Sequence, residues 1–361
     1  MWPMWRWTAL IFAFVACGHD AAAATDAAAS VAETLLYAQR TRPDAAQFER
    51  ARSLAEAAVT REPNSPRAWA LLAWARMIEH RFGEALDATR RADSLAADDP
   101  RTLALMSDAL VELGRYDEAV TVTQRLADIA PGIPAWTRAA HLRFLYNDSA
   151  GAIQLMAMAA RAGRRRGEAS AWIWLDLARL ALNAGDSGSA AQDIAAAEQA
   201  YPGLPAILPA RARLLLAQGD RVAALDQYRT ALSLQPSAEE ALAAWRLARQ
   251  LGQDGAAKHH AALLEGLARL DREGLSRRAL AEYFAETGQS QRALGLARAE
   301  LAARPDIYSH ATLARVLARA GDTAQAQTQA RAALALDTPD PQLQADMRAI
   351  LAGMPRVEAS R

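Results

Sequence analysis

Six histidines, one cysteine and a few paired carboxylates are the residues of this 361-residue chain whose types could do chemistry. The histidines are His19, His80, His141, His259, His260 and His310, and only His259 and His260 lie close in sequence. Adjacent residues on a helix point about 100° apart, so that pair does not converge on one metal ion. The metalloprotease His-Glu-x-x-His pattern, the phosphate-binding loop, the Gly-x-Ser-x-Gly elbow and the dinucleotide Gly-x-Gly-x-x-Gly pattern are all missing from the sequence. The pairs Asp98-Asp99 and Glu239-Glu240 fall at expected helix starts, as do Asp44, Asp117 and Glu118. There a negative charge offsets the helix dipole rather than moving protons. Cys17 is the single cysteine, which removes intrachain disulfides and thiolate metal clusters. The expectation is a protein with no catalytic site, no cofactor and no metal.

The place of Cys17 suggests a different chemistry. Residues 1–6 carry one positive charge, residues 7–16 (WTALIFAFVA) are continuously apolar, and small residues follow. That is the layout of a secretory signal. Ten helical residues rise only about 15 Å, half a bilayer core, so no permanent transmembrane span is expected in the mature chain. Phe14-Val15-Ala16-Cys17 resembles the bacterial lipobox, which implies a lipid anchor on Cys17. Gly18 after it resembles the pattern that routes lipoproteins to an outer membrane. The rival is signal-peptidase cleavage within Ala21 to Ala24, which would leave a soluble periplasmic or secreted protein. Formal charge is zero, with 41 basic against 41 acidic side chains, and Lys258 is the only lysine. Nucleic-acid binding, which needs a basic excess, is not expected. The run Arg164-Arg165-Arg166 reads as a solvated loop.

The elements that would position any site come from an internal repeat. Small residues stand at Ala51, Ala85, Ala119, Ala152, Ala190, Ala224, Ala257, Ala293 and Ala326, spaced by 34, 34, 33, 38, 34, 33, 36 and 33. Seven residues beyond these anchors lies a second alanine in most units, as at Ala58, Ala92 and Ala159. Twelve beyond lies a proline in five of them: Pro63, Pro131, Pro202, Pro236 and Pro305. Five before stands a glycine in six: Gly114, Gly185, Gly219, Gly252, Gly288 and Gly321. Glycine ends a first helix by taking a left-handed backbone, and the Asp after it can cap the second helix. The anchor alanine lets two helices press together, where a larger side chain would wedge them apart. Proline ends the second helix. The sparse β-branched residues and the absence of period-2 alternation argue against a sheet.

A 34-residue helix-turn-helix period resembles the tetratricopeptide repeat (TPR) across roughly residues 31 to 350. The stretches AHLRFLYNDSAGAIQLM, GEASAWIWLDLARL and RPDIYSHATLARVLARAGD resemble exported bacterial TPR proteins of poorly defined function. The resemblance implies an all-α fold, a right-handed TPR superhelix of about nine repeats with a C-terminal capping helix. The expected layout is a signal peptide at 1–16, a tether at 17–30, repeats 1–4 at 31–162, an inserted loop at 163–170, repeats 5–9 at 171–339, and a cap with tail at 340–361. Leu343, Met347, Ile350 and Leu351 would cover the last repeat's apolar face.

In such repeats the first helices line a concave groove, and the resemblance places particular side chains there. They are Trp74, Met77, Asp108, His141, Phe144, Trp172, Leu175, Arg179, Asn183 and Arg213. Aromatic anchors mixed with arginine are what protein interfaces enrich. Asp108 and Glu112 are expected opposite Arg179 and Arg213, which would suit an extended peptide bearing both charge signs. The family's carboxylate clamp relies on lysine and asparagine, and a chain with one lysine does not offer it. The expected function is an exported protein-binding scaffold in a bacterial envelope. The alternative is an accessory subunit that presents a substrate to an envelope enzyme or an assembly machine.

Overall fold

A computed structural model describes residues 25–39, 44–163, 167–271 and 273–353. The expected signal segment, Cys17, the triple arginine and the last eight residues lie outside the described residues. What is described is helix and turn, with no strand.

The helices are α1 (Thr25–Ala38), α2 (Ala45–Arg61), α3 (Pro66–Ile78), α4 (Phe82–Leu95), α5 (Pro100–Glu112) and α6 (Tyr116–Ile129). Next come α7 (Ile133–Leu145), α8 (Ser149–Ala162), α9 (Glu168–Asn183), α10 (Ser187–Ala200), α11 (Ile207–Ala217) and α12 (Arg221–Leu234). The series ends with α13 (Ala238–Gln250), α14 (Asp254–Leu270), α15 (Arg277–Glu286), α16 (Ser290–Ala303), α17 (Ile307–Arg319), α18 (Thr323–Ala333) and α19 (Pro341–Leu351). Odd-numbered helices up to α17 are the first helices of repeats and even-numbered ones the second, so nine pairs precede α19. Two edges differ from the sequence reading. α1 begins at Thr25, inside the stretch expected as tether, because its alanines favour helix. α9 begins at Glu168, inside the expected loop.

Local chemistry explains the punctuation. Asp44, Ser65, Asp99, Asp186, Asp220, Ser237, Asp306, Asp322 and Asp340 each accept a backbone N–H in the first turn of the helix that follows. At the turn inside a repeat, Gly219 has φ +87°, its N–H donates to Leu216 O, and the N–H of Asp220 donates to Leu215 O. This is the Schellman closure of a helix end. In two of the three repeats without that glycine, His80 (φ 57°) and Asn147 (φ 63°) take the left-handed backbone instead. Both stand five residues before an anchor alanine. The anchors sit at the helix crossings: eight of the nine are completely buried and Ala257 is 9% exposed.

The described chain forms two compact units. One comprises residues 25–142 with 158–163, the other residues 143–157 with 167–353. In each, a first helix packs on its own second helix, and the second helix packs on the next first helix. The larger unit also joins its two ends. The Thr338 hydroxyl donates to Leu145 O at 2.6 Å, and Asn147 Nδ2 donates to Asp337 Oδ2 at 2.9 Å. As expected of a cap, α19 buries Leu343 and Met347, although Ile350 and Leu351 stay partly exposed.

Candidate concave interface

The first helices place one side chain per repeat eleven residues before each anchor alanine. Reading along the chain, these are Trp74, Asp108, His141, Arg179, Arg213, Arg246, Glu282 and Arg315. A core row would be apolar; this one is mostly charged.

In the smaller unit, Trp74 and Met77 on α3 and His141 on α7 are buried. Asp108 on α5 is half-buried, and Arg138 of α7 donates to its Oδ2 through Nη2 at 2.6 Å and Nε at 3.1 Å. The same guanidinium donates to Ala104 O and Pro134 O, so it ties α7 to α5. Burial pushes the Asp108 carboxyl up to about 6, against the pull of Arg138. The structure thus gives Asp108 a partner the sequence reading missed. Nearby, Glu33 of α1 accepts from Arg67 of α3 at 2.9 Å and Arg101 of α5 at 3.1 Å. These three occupy the same place in successive first helices, eighteen residues before the anchors Ala51, Ala85 and Ala119.

In the larger unit, Phe144, Trp172, Leu175 and Arg179 are buried, and Asn183 and Arg213 are half-exposed. Trp172 Nε1 donates to Glu168 Oε1 at 2.7 Å. The Arg179 guanidinium lies 4.8 Å over the Phe144 ring and 3.3 Å from Asp176, so two expected groove residues from different helices do meet. Burial raises Asp176 to about 6, with Arg179 opposing. Burial also raises the Tyr308 phenol, as does the carboxylate of Asp340, while Arg179 lowers it. Tyr308, Asp340 and Arg179 are therefore within electrostatic reach although they come from α17, the turn before α19, and α9. Glu239 is pushed up to about 7, first by burial and then by its neighbour Glu240.

The C-terminal half of the row is a ladder of alternating charge. Glu282 takes Arg246 at 2.6 Å and Arg315 at 3.0 Å, and Arg315 reaches Asp346 of α19 at 2.7 Å. Arg246 also pairs with Glu286, and Arg319 approaches Glu286 at 3.9 Å. Sequence reasoning stopped at Arg213 and missed these residues. A signal was available: the steps from Arg213 to Arg246, Glu282 and Arg315 are 33, 36 and 33, the same as those between the corresponding anchors.

Among the described residues, no group of three His, Cys, Asp or Glu side chains converges as metal ligands. No described helix is long and apolar enough to cross a membrane.

Residues 76–142 match the family described as Tetratricopeptide repeat. No curated protein matches the sequence. Among solved structures the chain is similar to the APC/C hetero-tetramer Cut9-Hcn1, at 14% identity over 90% of this chain and 63% of that one, with a TM-score of 0.53. It thus spans less than two thirds of that relative. It is also similar to a monomeric mutant of IFIT1 solved with Gppp-AAAA, at 15% identity, 87% and 72% coverage and a TM-score of 0.60. The human IFIT1 dimer with PPP-AAAA gives 15% identity, 87% and 73% coverage and a TM-score of 0.59. At such identities the likeness is one of fold.

Proposed function

We propose that this tetratricopeptide-repeat protein is a non-catalytic scaffold, exported to a bacterial cell envelope, that holds a partner protein or peptide along its first-helix face. The observation that carries the reading is the charged row one repeat apart on that face, with Asn183 and Arg213 half-exposed along it. Charged and amide side chains repeated at fixed intervals can meet the backbone and side chains of an extended segment, and charge complementarity gives such contacts their specificity. Export rests on the charged, apolar and small-residue order of residues 1–16, and the lipid anchor on Cys17.

Site-specific photocrosslinking in the native host tests the interface. A photoreactive residue at position 183 or 213 is expected to capture a discrete partner. One at Val222, which is 55% exposed on a second helix, is expected to capture none. Capture from position 222 and not from the other two would refute the assigned face. Fatty-acid labelling tests the anchor: the label is expected to vanish in Cys17→Ala, and a label unchanged by that substitution removes the lipoprotein reading.

A further inference from the structure

The larger unit carries a non-helical segment of its own against the C-terminal end of α7. Residues 337–340 (Asp-Thr-Pro-Asp) connect α18 to α19 without helical structure. Thr338 is completely buried, and its hydroxyl donates to Leu145 O at 2.6 Å. Leu145 ends α7, where carbonyls have no partner within the helix. Asn147 donates to Asp337 at 2.9 Å, while Gln344 Nε2 holds the segment from the other side through Asp337 Oδ1 at 3.1 Å and Thr338 O at 3.0 Å. Pro339 and Pro341 bias Thr338 and Asp340 to extended backbone. Beside the contact lie Phe144 and the Arg179 that covers it, two of the residues expected to meet a partner.

We propose that residues 337–340 are a built-in strap occupying a partner's place on the first-helix face, and that the site beneath takes an extended acidic segment of the Asp-Thr-Pro-Asp kind. Three features point to that occupant. The strap shows which backbone and side-chain groups the face satisfies: a threonine hydroxyl on a helix-end carbonyl, and a carboxylate on an asparagine amide. The row next to it carries Arg213, half-exposed between the Asp176-paired Arg179 and the Glu282-paired Arg246, and a cation there favours an anionic segment. The strap is also poised to leave, because the carboxylate of Asp337 sits near the negative end of the α7 dipole, where an anion is disfavoured. A partner with the same contacts and no tether to α19 would displace it, and the strap lowers apparent affinity by the fraction of time it is seated.

The inference rests on the proposed binding role of the first-helix face, yet its test needs no natural partner. The probe is a fluorescent peptide of residues 335–342, Ala-Leu-Asp-Thr-Pro-Asp-Pro-Gln, titrated into the full chain. Asp337→Gly with Thr338→Val releases the strap and leaves the site untouched, the glycine suiting the left-handed φ of 51°. Losing three side-chain hydrogen bonds, two of them to the end of α7 and its turn, should tighten the peptide about tenfold or more relative to wild type. A scrambled peptide should not bind, and bound peptide should restore hydrogen-exchange protection over residues 143–150 of the released variant. Equal affinity in both chains, or equal binding of the scrambled sequence, overturns the proposal. If the double variant loses its helical circular dichroism, wild type at saturating peptide decides: unchanged exchange over 143–150 and 335–340 overturns it too. A wild-type chain that still captures a partner from positions 183 and 213 while the peptide fails refutes the strap and leaves the scaffold standing.

Discussion

Replacing Glu282 by leucine should destabilise the C-terminal repeats by about 3 kcal/mol, an order of magnitude set by its burial. Glu282 is 2% exposed and accepts from Arg246 and Arg315, and Arg315 is itself 5% exposed. Exposed ion pairs contribute only about 0–1 kcal/mol. Removing one partner of a buried pair costs about 3–5 kcal/mol, because a desolvated charge is stranded. The low end applies here, since Arg246 keeps Glu286 and Arg315 keeps Asp346. Arg315→Met alone should cost a similar amount, and Glu282→Leu with Arg315→Met should recover much of it. The expected coupling in the double-mutant cycle is about 2 kcal/mol. Repeat arrays open locally, so the assay is native-state hydrogen exchange over α15 to α18 rather than a single melting midpoint. Coupling should be nearly independent of salt, because buried pairs are weakly screened. A coupling below about 0.5 kcal/mol that fades in high salt would mean the ladder behaves like a surface pair, and the reasoning from burial would be wrong.

Other perturbations probe other parts of the fold. His260 is 2% exposed with neither ring nitrogen hydrogen-bonded, and burial, His259 and Arg229 push its pKa from 6.5 to about 4. The unfolded chain binds the proton more readily between those values, so stability should fall as pH drops from 6.5 towards 4 and change no further below it. His260→Leu should flatten that slope in thermal melts and stabilise the fold by about 1–3 kcal/mol, the cost of a buried unpaired polar group. Ala293→Leu, at a completely buried anchor, should cost about 1–3 kcal/mol by overpacking, read from exchange in α15 and α16. Gly219→Ala meets no atom within 4 Å, so its cost in chemical denaturation should be the backbone penalty alone, about 1–2 kcal/mol. Gly219→Asn should cost less.

What could be read from sequence follows from how local each feature is. The anchor alanines, turn glycines and closing prolines act within one helical hairpin, so their spacing gave the pairing of helices and the place of α19 in advance. His80 and Asn147 were hidden because their residue types do not announce a left-handed backbone, although their distance from the anchors does. The groove side chains were harder. Their register on the first helices was legible, but their exposure depends on elements far away in sequence. Asp108 and Arg179 each have a partner that charge type alone does not specify: Arg138 for Asp108, and Asp176 with Phe144 for Arg179. The contacts of Thr338 and Asp337 span about 190 residues, and no periodicity encodes them.

The same steps that bury the alanines also dictate the charged row. Helices that touch through alanine approach within about 8–10 Å of one another, a distance that an arginine and a glutamate on successive first helices can bridge. With anchors recurring at 33 to 38 residues, charges placed eleven residues earlier in successive units can meet, as Arg246, Glu282 and Arg315 do. Alternating signs then make a ladder, as from Arg246 to Asp346, which fixes the spacing of the repeats. From Arg179 to Arg246 the row instead holds three arginines in succession, of which Arg179 pairs with Asp176 on its own helix and Arg246 opens the ladder. One periodicity thus yields an alternating stretch whose charges tie successive repeats together and, beside it, a stretch of arginines.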